Sequence, residues 1–264
     1  MAILSKGQWV RPDPAIERFF AQPAIRGNLT FLRERLPREA QIVVAGGAVR
    51  NVIIAAFHGS APPTPDIDIF IGGLGRDFSL EGMLKDQKAR PTDLKGMRWH
   101  PADSPLAYDL CLLHDFLGIA AYRLEPTMAN LLAGIDFTIN AILFDVDRRT
   151  VAEQGCTAAV RKREIDFNSR RIPDKALIAY RALLMAHKTG FHLGPPVFDF
   201  LRNRLEVGAL RQIKGYLQAK LGKAAATVVM GEYDLLCRHH SYQAYRASWY
   251  RTAFPSSMNP SIGG

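Results

Sequence analysis

Two aspartates, Asp66 and Asp68, stand two residues apart in the run Pro65-Asp66-Ile67-Asp68-Ile69-Phe70-Ile71-Gly72 and are the side chains best suited to chemistry. In a strand, successive side chains point to opposite faces, so these carboxylates share one face while Ile67, Ile69 and Ile71 share the other. Like charges that close repel unless a cation sits between them. A divalent ion on hard oxygen ligands is the simplest remedy, and Mg²⁺ typically takes one or two carboxylates plus substrate phosphates. Alone, Asp-x-Asp also describes a solvated strand end. Upstream, however, Gly46-Gly47 separates an apolar run, Ile42 to Ala45, from an amphipathic stretch that opens at Ala48. Glycines in a strand-to-helix turn let backbone approach a ligand and present N–H groups where phosphate binds well. Arg50, in the first turn of that helix, adds a charge-assisted contact to the same anion. A phosphate cradle joined by one helix to a carboxylate pair describes a site for Mg²⁺ with a nucleoside triphosphate.

The surrounding elements must hold these groups in place. Residues 14–36 carry two short helical patterns, interrupted by Pro23 and Gly27, whose Phe19, Phe20, Ile25, Leu29, Leu32 and Leu36 line one side as core. Ser79 is an N-cap for a helix running to about Lys88. A short strand is expected around Met97-Arg98-Trp99, with Trp99 as packing. Leu106 to Leu113 reads as a further strand, with Ala107, Asp109 and Cys111 on one face and Tyr108, Leu110 and Leu112 on the other. Asp109 is a lone acid on an otherwise buried strand and needs a partner. A helix over Pro126 to Leu132 precedes a hairpin that turns at Asp147-Arg148-Arg149. From Arg161 the pattern becomes helical, including Lys175 to Phe191 with Gly190 as its stop. Two helical patterns follow over 195–236. The last thirty residues mix Tyr, Trp, Arg and His, a composition suited to stacking on unpaired bases, and end in a flexible polar tail.

The motifs Gly46-Gly47-Ala48-Val49-Arg50-Asn51 and Asp66-Ile67-Asp68-Ile69-Phe70, followed by Asp136-Phe137-Thr138-Ile139-Asn140-Ala141, resemble the head-domain signatures of class II tRNA nucleotidyltransferases (CCA-adding enzymes) and bacterial poly(A) polymerases, within the polymerase-β-like nucleotidyltransferase superfamily. The resemblance covers roughly residues 30 to 195. It implies an α/β (α+β) head with a small mixed sheet, helices on one face, and an α-helical neck and body behind it. It further implies transfer of a nucleotide from ATP or CTP to an RNA 3′ end, with release of pyrophosphate. Asp66, Asp68 and Asp109 would be the catalytic and metal-binding acids for two Mg²⁺ ions. Asp109 enters this set because a strand beside Asp-x-Asp supplies a third carboxylate in the superfamily. Gly46, Gly47, Arg50, Asp136, Asn140 and Arg181 would bind the nucleotide. Gly134 and Ile135 stand where the family carries two arginines, and Ile178 stands where its base-reading helix carries another. The implied partners are RNA, such as tRNA or another 3′ end, and a nucleoside triphosphate. Alternatives are the same chemistry on another acceptor, as in a toxin or a small-molecule nucleotidyltransferase, and a catalytically silent RNA-binding relative. The chain is short for a full CCA-adding enzyme, which gives the first of these weight.

Composition bounds these expectations. The 264 residues, 48% apolar and 22% charged, have the balance of a soluble globular protein. No apolar run approaches the ~20 residues that span a bilayer, and Met1 to Val10 lacks the apolar core of a signal peptide. Three scattered cysteines, Cys111, Cys156 and Cys237, suit free thiols in the cytoplasm. Charge divides the chain. Residues 161–264 hold 17 Lys and Arg against 7 Asp and Glu, whereas residues 1–160 hold 17 against 18. A near-neutral catalytic head, 1–160, followed by a basic helical part, 161–264, suits a polyanion held by the second and delivered to the first.

Overall fold

A computed structural model describes residues 9–169 and 171–253; the polar tail expected at the end of the chain lies outside them. The chain forms two units. Among the described residues, one contains 9–162 together with 168, 169 and 171–173, and the other contains 163–167 together with 174–253. Among the described residues no helix is long and apolar enough to cross a membrane.

The first unit opens with α1 (Pro14–Phe20) and α2 (Pro23–Arg35). Asp13 caps α1 by accepting from the Ala15 amide, and Pro23 begins α2 at its first position. Gly27 does not interrupt α2 as the sequence suggests. One helical glycine costs only about 1 kcal/mol, against the burial of Ile25, Leu29 and Leu32 on the same helix.

Then come β1 (Gln41–Ala45), α3 (Gly47–His58), β2 (Asp66–Gly72), α4 (Leu80–Met83), β3 (Ala89–Pro91), β4 (Met97–Trp99) and β5 (Ala107–Leu112). The unit closes with α5 (Leu117–Ala120), α6 (Met128–Gly134), β6 (Ile142–Asp145), β7 (Thr150–Glu153) and α7 (Cys156–Lys162). Ser79 caps α4 through the Gly82 amide, but α4 stops at Met83, short of the expected Lys88, because the chain is drawn back to pair β3 with β4.

Seven strands form one mixed sheet in the order β3-β4-β5-β2-β1-β6-β7. Within this sheet, among the described residues, β2 and β5 form the one parallel pair. One face carries Ile67, Ile69, Tyr108, Trp99 and Phe144, each at most 1% exposed. There α1 and α2 dock: Phe20 stacks on Phe144 at 4.2 Å, Phe31 on Trp99 at 4.9 Å, and Asn28 Nδ2 donates to the Tyr108 hydroxyl. Helices are not confined to that face. On the other, Val43, Ala45 and Leu143 join Ile119 of α5 and Leu131 and Leu132 of α6 in an apolar cluster, with Phe70 and Phe116 packed against it. This cover closes one end of the face and leaves the beginnings of β2 and β5 outside the cluster.

The second unit is built of α8 (Lys175–Thr189), α9 (Pro195–Asn203), α10 (Val207–Leu221), α11 (Lys223–Arg238) and α12 (Tyr242–Ala253), with a short parallel pair of β8 (Glu164–Ile165) and β9 (His192–Leu193). Gly190 ends α8 at φ +68°, as the sequence suggests. Three helices, not two, fill 195–238, since the break at Arg204–Glu206 separates α9 from α10 and Gly222 separates α10 from α11.

Candidate active site: a charged row across the sheet

The acids meet because of register. In β2, Ile67, Ile69 and Ile71 are buried while Asp66 and Asp68 stay partly exposed on the opposite face. The parallel pairing of β2 with β5 sets Asp68 opposite Asp109. Directly paired residues project to the same face, so the three carboxylates share it. The antiparallel pairing of β4 with β5 sets Arg98 opposite Asp109, and that of β3 with β4 sets Arg90 opposite Arg98. A single row therefore crosses five strands: Ala45, Asp68, Asp109, Arg98, Arg90.

Arg98 is the residue that the motifs do not disclose. Its Nε donates to Asp109 Oδ1 at 2.7 Å and its Nη2 to Asp109 Oδ2 at 2.5 Å, a two-point fork, and Nη2 also reaches Asp66 Oδ2 at 3.3 Å. The hydrogen bonds to Asp109 raise the guanidinium pKa. Partial burial opposes them, and the charges of Asp109, Asp66 and Asp68 reinforce them. The repulsion that called for a divalent ion is thus already met in part by an arginine, which is also the partner Asp109 needs. Alternation around the buried Met97 and Trp99 puts Arg98 on the opposite face of β4, but only the strand register reveals what it meets.

The carboxylates can be tested as a metal site on their donor chemistry. Asp66 and Asp68 offer hard oxygen donors, the kind Mg²⁺ takes when phosphates and water complete its shell. Both Asp109 oxygens are engaged by Arg98, and among the described residues no group of three His, Cys, Asp or Glu is arranged to hold a metal. The donors fit an ion held by Asp66 and Asp68, with Arg98 engaging both oxygens of Asp109 and reaching one of Asp66.

The glycine turn lies against these acids. Gly46 adopts φ +65° and ψ −120°, and a Cβ there would sit 3.7 Å from Asp68 Oδ2. The turn is pinned by the Gly46 amide, which donates to the Ile142 carbonyl of β6. From it springs α3, whose first amides have no partner within the helix. Arg50 is only 5% exposed. Its guanidinium donates to Asn51 Oδ1 and, at 2.5 Å, to Asn140 Oδ1, while Asn140 Nδ2 donates to Asp136 Oδ1. Asn51 Nδ2 in turn donates to Thr64 Oγ1 and the Pro62 carbonyl, fastening the loop that leads into β2. Three of the expected nucleotide-binding residues, Arg50, Asp136 and Asn140, are therefore joined by hydrogen bonds, and the Arg50 amide donates to the Gly46 carbonyl of the turn. Arg181 lies on α8 in the second unit.

Other features divide between packing and exposure. Burial, with the charges of Asp115 and Asp68, pushes the Cys111 thiol up to about 12. Two surface grooves, of about 310 and 560 Å³, are lined by Arg35 with residues between Phe78 and Asp86 and by residues of α1 and α3, and by none of Asp66, Asp68 and Asp109. In the second unit Arg202, Arg204, Arg211, Lys214, Lys220 and Lys223 are all exposed. The aromatics expected to stack on bases are partly spent on packing: Tyr245 accepts from the Leu193 amide and stacks on Phe198, and Trp249 Nε1 donates to the Gly190 carbonyl. Tyr250 is 49% exposed.

Solved structures share this fold. A CCA-adding enzyme in complex with ATP superposes with a TM-score of 0.56 at 18% identity, over 86% of this chain and 55% of that one. A CCA-adding enzyme in complex with CTP gives 0.55 at 19%, over 84% and 54%. A tRNA-processing enzyme in an apo form gives 0.54 at 14%, over 94% and 68%. The chain spans little more than half the length of the first two. No protein-family model matches the sequence, and no curated protein matches it. The resemblance drawn from the sequence motifs is borne out as a shared fold.

Proposed function

We propose, from the fold shared with CCA-adding enzymes, that this chain is a metal-dependent nucleotidyltransferase that adds a nucleotide from ATP or CTP to an RNA 3′ end, tRNA being the foremost candidate. The observation that carries the reading is the in-register pair of Asp68 and Asp109, with Asp66 on the same face and the glycine turn against Asp68. In the reaction, the acceptor hydroxyl oxygen forms a bond to the α-phosphorus as the bond from that phosphorus to the bridging oxygen breaks and pyrophosphate leaves. Asp66 and Asp68 would hold Mg²⁺, with Asp109 as the third acid of a two-ion site. The bound ions would supply positive charge to the entering and leaving oxygens.

The chain's own groups would do the rest. Amides of the Gly46-Gly47 turn and the start of α3 would receive the phosphates. Arg50, oriented by its hydrogen bond to Asn140, would join them in gripping the phosphates, while Asp136, Asn140 and Arg181 would border the sugar and base. Asp109, once freed of the Arg98 fork, would be the carboxylate placed to accept the hydroxyl proton. The exposed basic residues of the second unit would hold the RNA backbone, an attraction that weakens with salt. Three free cysteines accord with the cytoplasm.

The test is incubation of the protein with Mg²⁺, total RNA and each labelled nucleoside triphosphate in turn. Growth of an RNA 3′ end supports the reading, and the nucleotide incorporated separates CCA-type from poly(A)-type addition. Label arriving on a small molecule or a protein would redirect it to another acceptor. One observation favours a second reading, a silent RNA-binding relative: the Arg98 fork occupies both oxygens of Asp109. Salt-sensitive RNA binding without transfer of any nucleotide would select it.

A further inference from the structure

The row Asp68–Asp109–Arg98–Arg90 places two acids beside two arginines on one sheet face, and the innermost arginine grips the acids. Arg98 makes three contacts to carboxylate oxygens, two on Asp109 and one on Asp66. A divalent cation seeking those oxygens must displace a cation already there. A guanidinium fork matches phosphate as well as it matches carboxylate, so a polyphosphate arriving at this face offers Arg98 an alternative partner. Arg90, exposed on the edge strand beside it, adds a second positive charge on the side from which an anion would draw it. Arg98 itself is 26% exposed at its side chain, enough for the exchange to proceed without unfolding.

We infer that Arg98 is an internal counter-ion that competes with divalent metal for Asp109 and Asp66 in the free protein and transfers its fork to a phosphate group when nucleotide binds, so that metal and nucleotide enter as a mutually reinforcing pair. This rests on the nucleotidyltransferase reading above. It accounts for two facts together: the acids are co-facial, and a guanidinium meets both oxygens of Asp109 and one of Asp66.

Mn²⁺ binding to the nucleotide-free protein, followed by loss of the free-ion electron paramagnetic resonance signal, tests it without any turnover. Arg98→Met should bind Mn²⁺ about tenfold more tightly than wild type, about 1.4 kcal/mol. Arg98→Lys, which keeps the charge but loses the fork, should fall between them. In the presence of EDTA, a fluorescent nucleoside triphosphate should bind Arg98→Met several-fold more weakly, since the phosphate loses its partner. Thermal unfolding verifies that each variant is folded, and the lysine variant keeps the test open should the methionine variant not be. Mn²⁺ binding that is unchanged or weaker in both variants overturns the inference and leaves Arg98 as a support for Asp109. If neither wild type nor variant binds Mn²⁺ at millimolar concentration, while all remain folded, the metal-site reading falls and this inference falls with it.

Discussion

Replacing Gly46 with alanine isolates the backbone of the phosphate turn from the rest of the site. Gly46 holds φ +65° and ψ −120°, a region that residues with a Cβ rarely enter, at a cost on the order of 1–3 kcal/mol. An alanine Cβ there would have Asp68 Oδ2 at 3.7 Å as its nearest neighbour, an ordinary contact, so the penalty is conformational and not steric. For a chain of this size each kcal/mol moves the midpoint by about 2–4 °C, which gives a fall in Tm of about 2–12 °C. Gly47→Ala is the matched comparison. Gly47 is the first residue of α3, its added Cβ would lie 3.7 Å from Arg50 Nη2, and its φ is not positive. Alanine favours the helix, so its Tm should hold or rise. Both substitutions put a methyl group where phosphate is proposed to approach, so nucleotide binding should weaken in both while stability falls in only one. Far-ultraviolet circular dichroism on heating, alongside a nucleotide-binding titration, reads the two effects. A Gly46→Ala protein that melts with wild type, or a Gly47→Ala protein that melts as early as Gly46→Ala, would refute the reasoning.

Other outcomes follow from the same geometry. Asp68→Asn should reduce nucleotide transfer to background with its melting temperature retained; turnover at a tenth of wild type or more would contradict Asp68 as a site residue. Asn140→Ala takes an acceptor from a buried guanidinium and should cost about 1.5–3 kcal/mol in urea unfolding, and an unchanged midpoint would show that the contact contributes nothing. Burial raises the thiols of Cys111 and Cys156, so in the folded protein at pH 8 iodoacetamide should label Cys237 first, as mass spectrometry would report. The sign for stability follows from the same shift. The unfolded Cys111 thiol ionises near 9 and the folded one near 12, so stability present below about pH 9 should drain away as pH rises toward 12, by up to about 1.4 kcal/mol per pH unit. A urea midpoint that is flat across that range would contradict it.

Legibility followed the range of the forces involved. The alternation of Asp66, Ile67, Asp68 and Ile69 was plain because burial on one face and water on the other impose a period of two on a strand. Gly190 was legible as a helix stop for an equally local reason, its left-handed backbone. Gly27 and the stretch 195–238 were harder. Whether a glycine breaks a helix depends on the apolar contacts that oppose it, and those are made to distant parts of the chain. Interleaved aromatics such as Tyr245 and Trp249 suggested stacking on bases, but the packing partners that claim them, Leu193, Phe198 and Gly190, lie some fifty residues away in the sequence.

Sequence by itself determined which residues alternate, which glycines bend the chain at the helix start, and that three acids stand on two strands with their carboxylates turned from the core. Tertiary structure alone decided that Asp68 lies beside Asp109, that Arg98 closes on the latter, and that Arg50 turns inward to Asn140. The reason is physical. Side-chain direction is set within a residue or two by backbone geometry, whereas a neighbour across the sheet is fixed by strand register, and register is settled by the burial of every other side chain on the strands it joins.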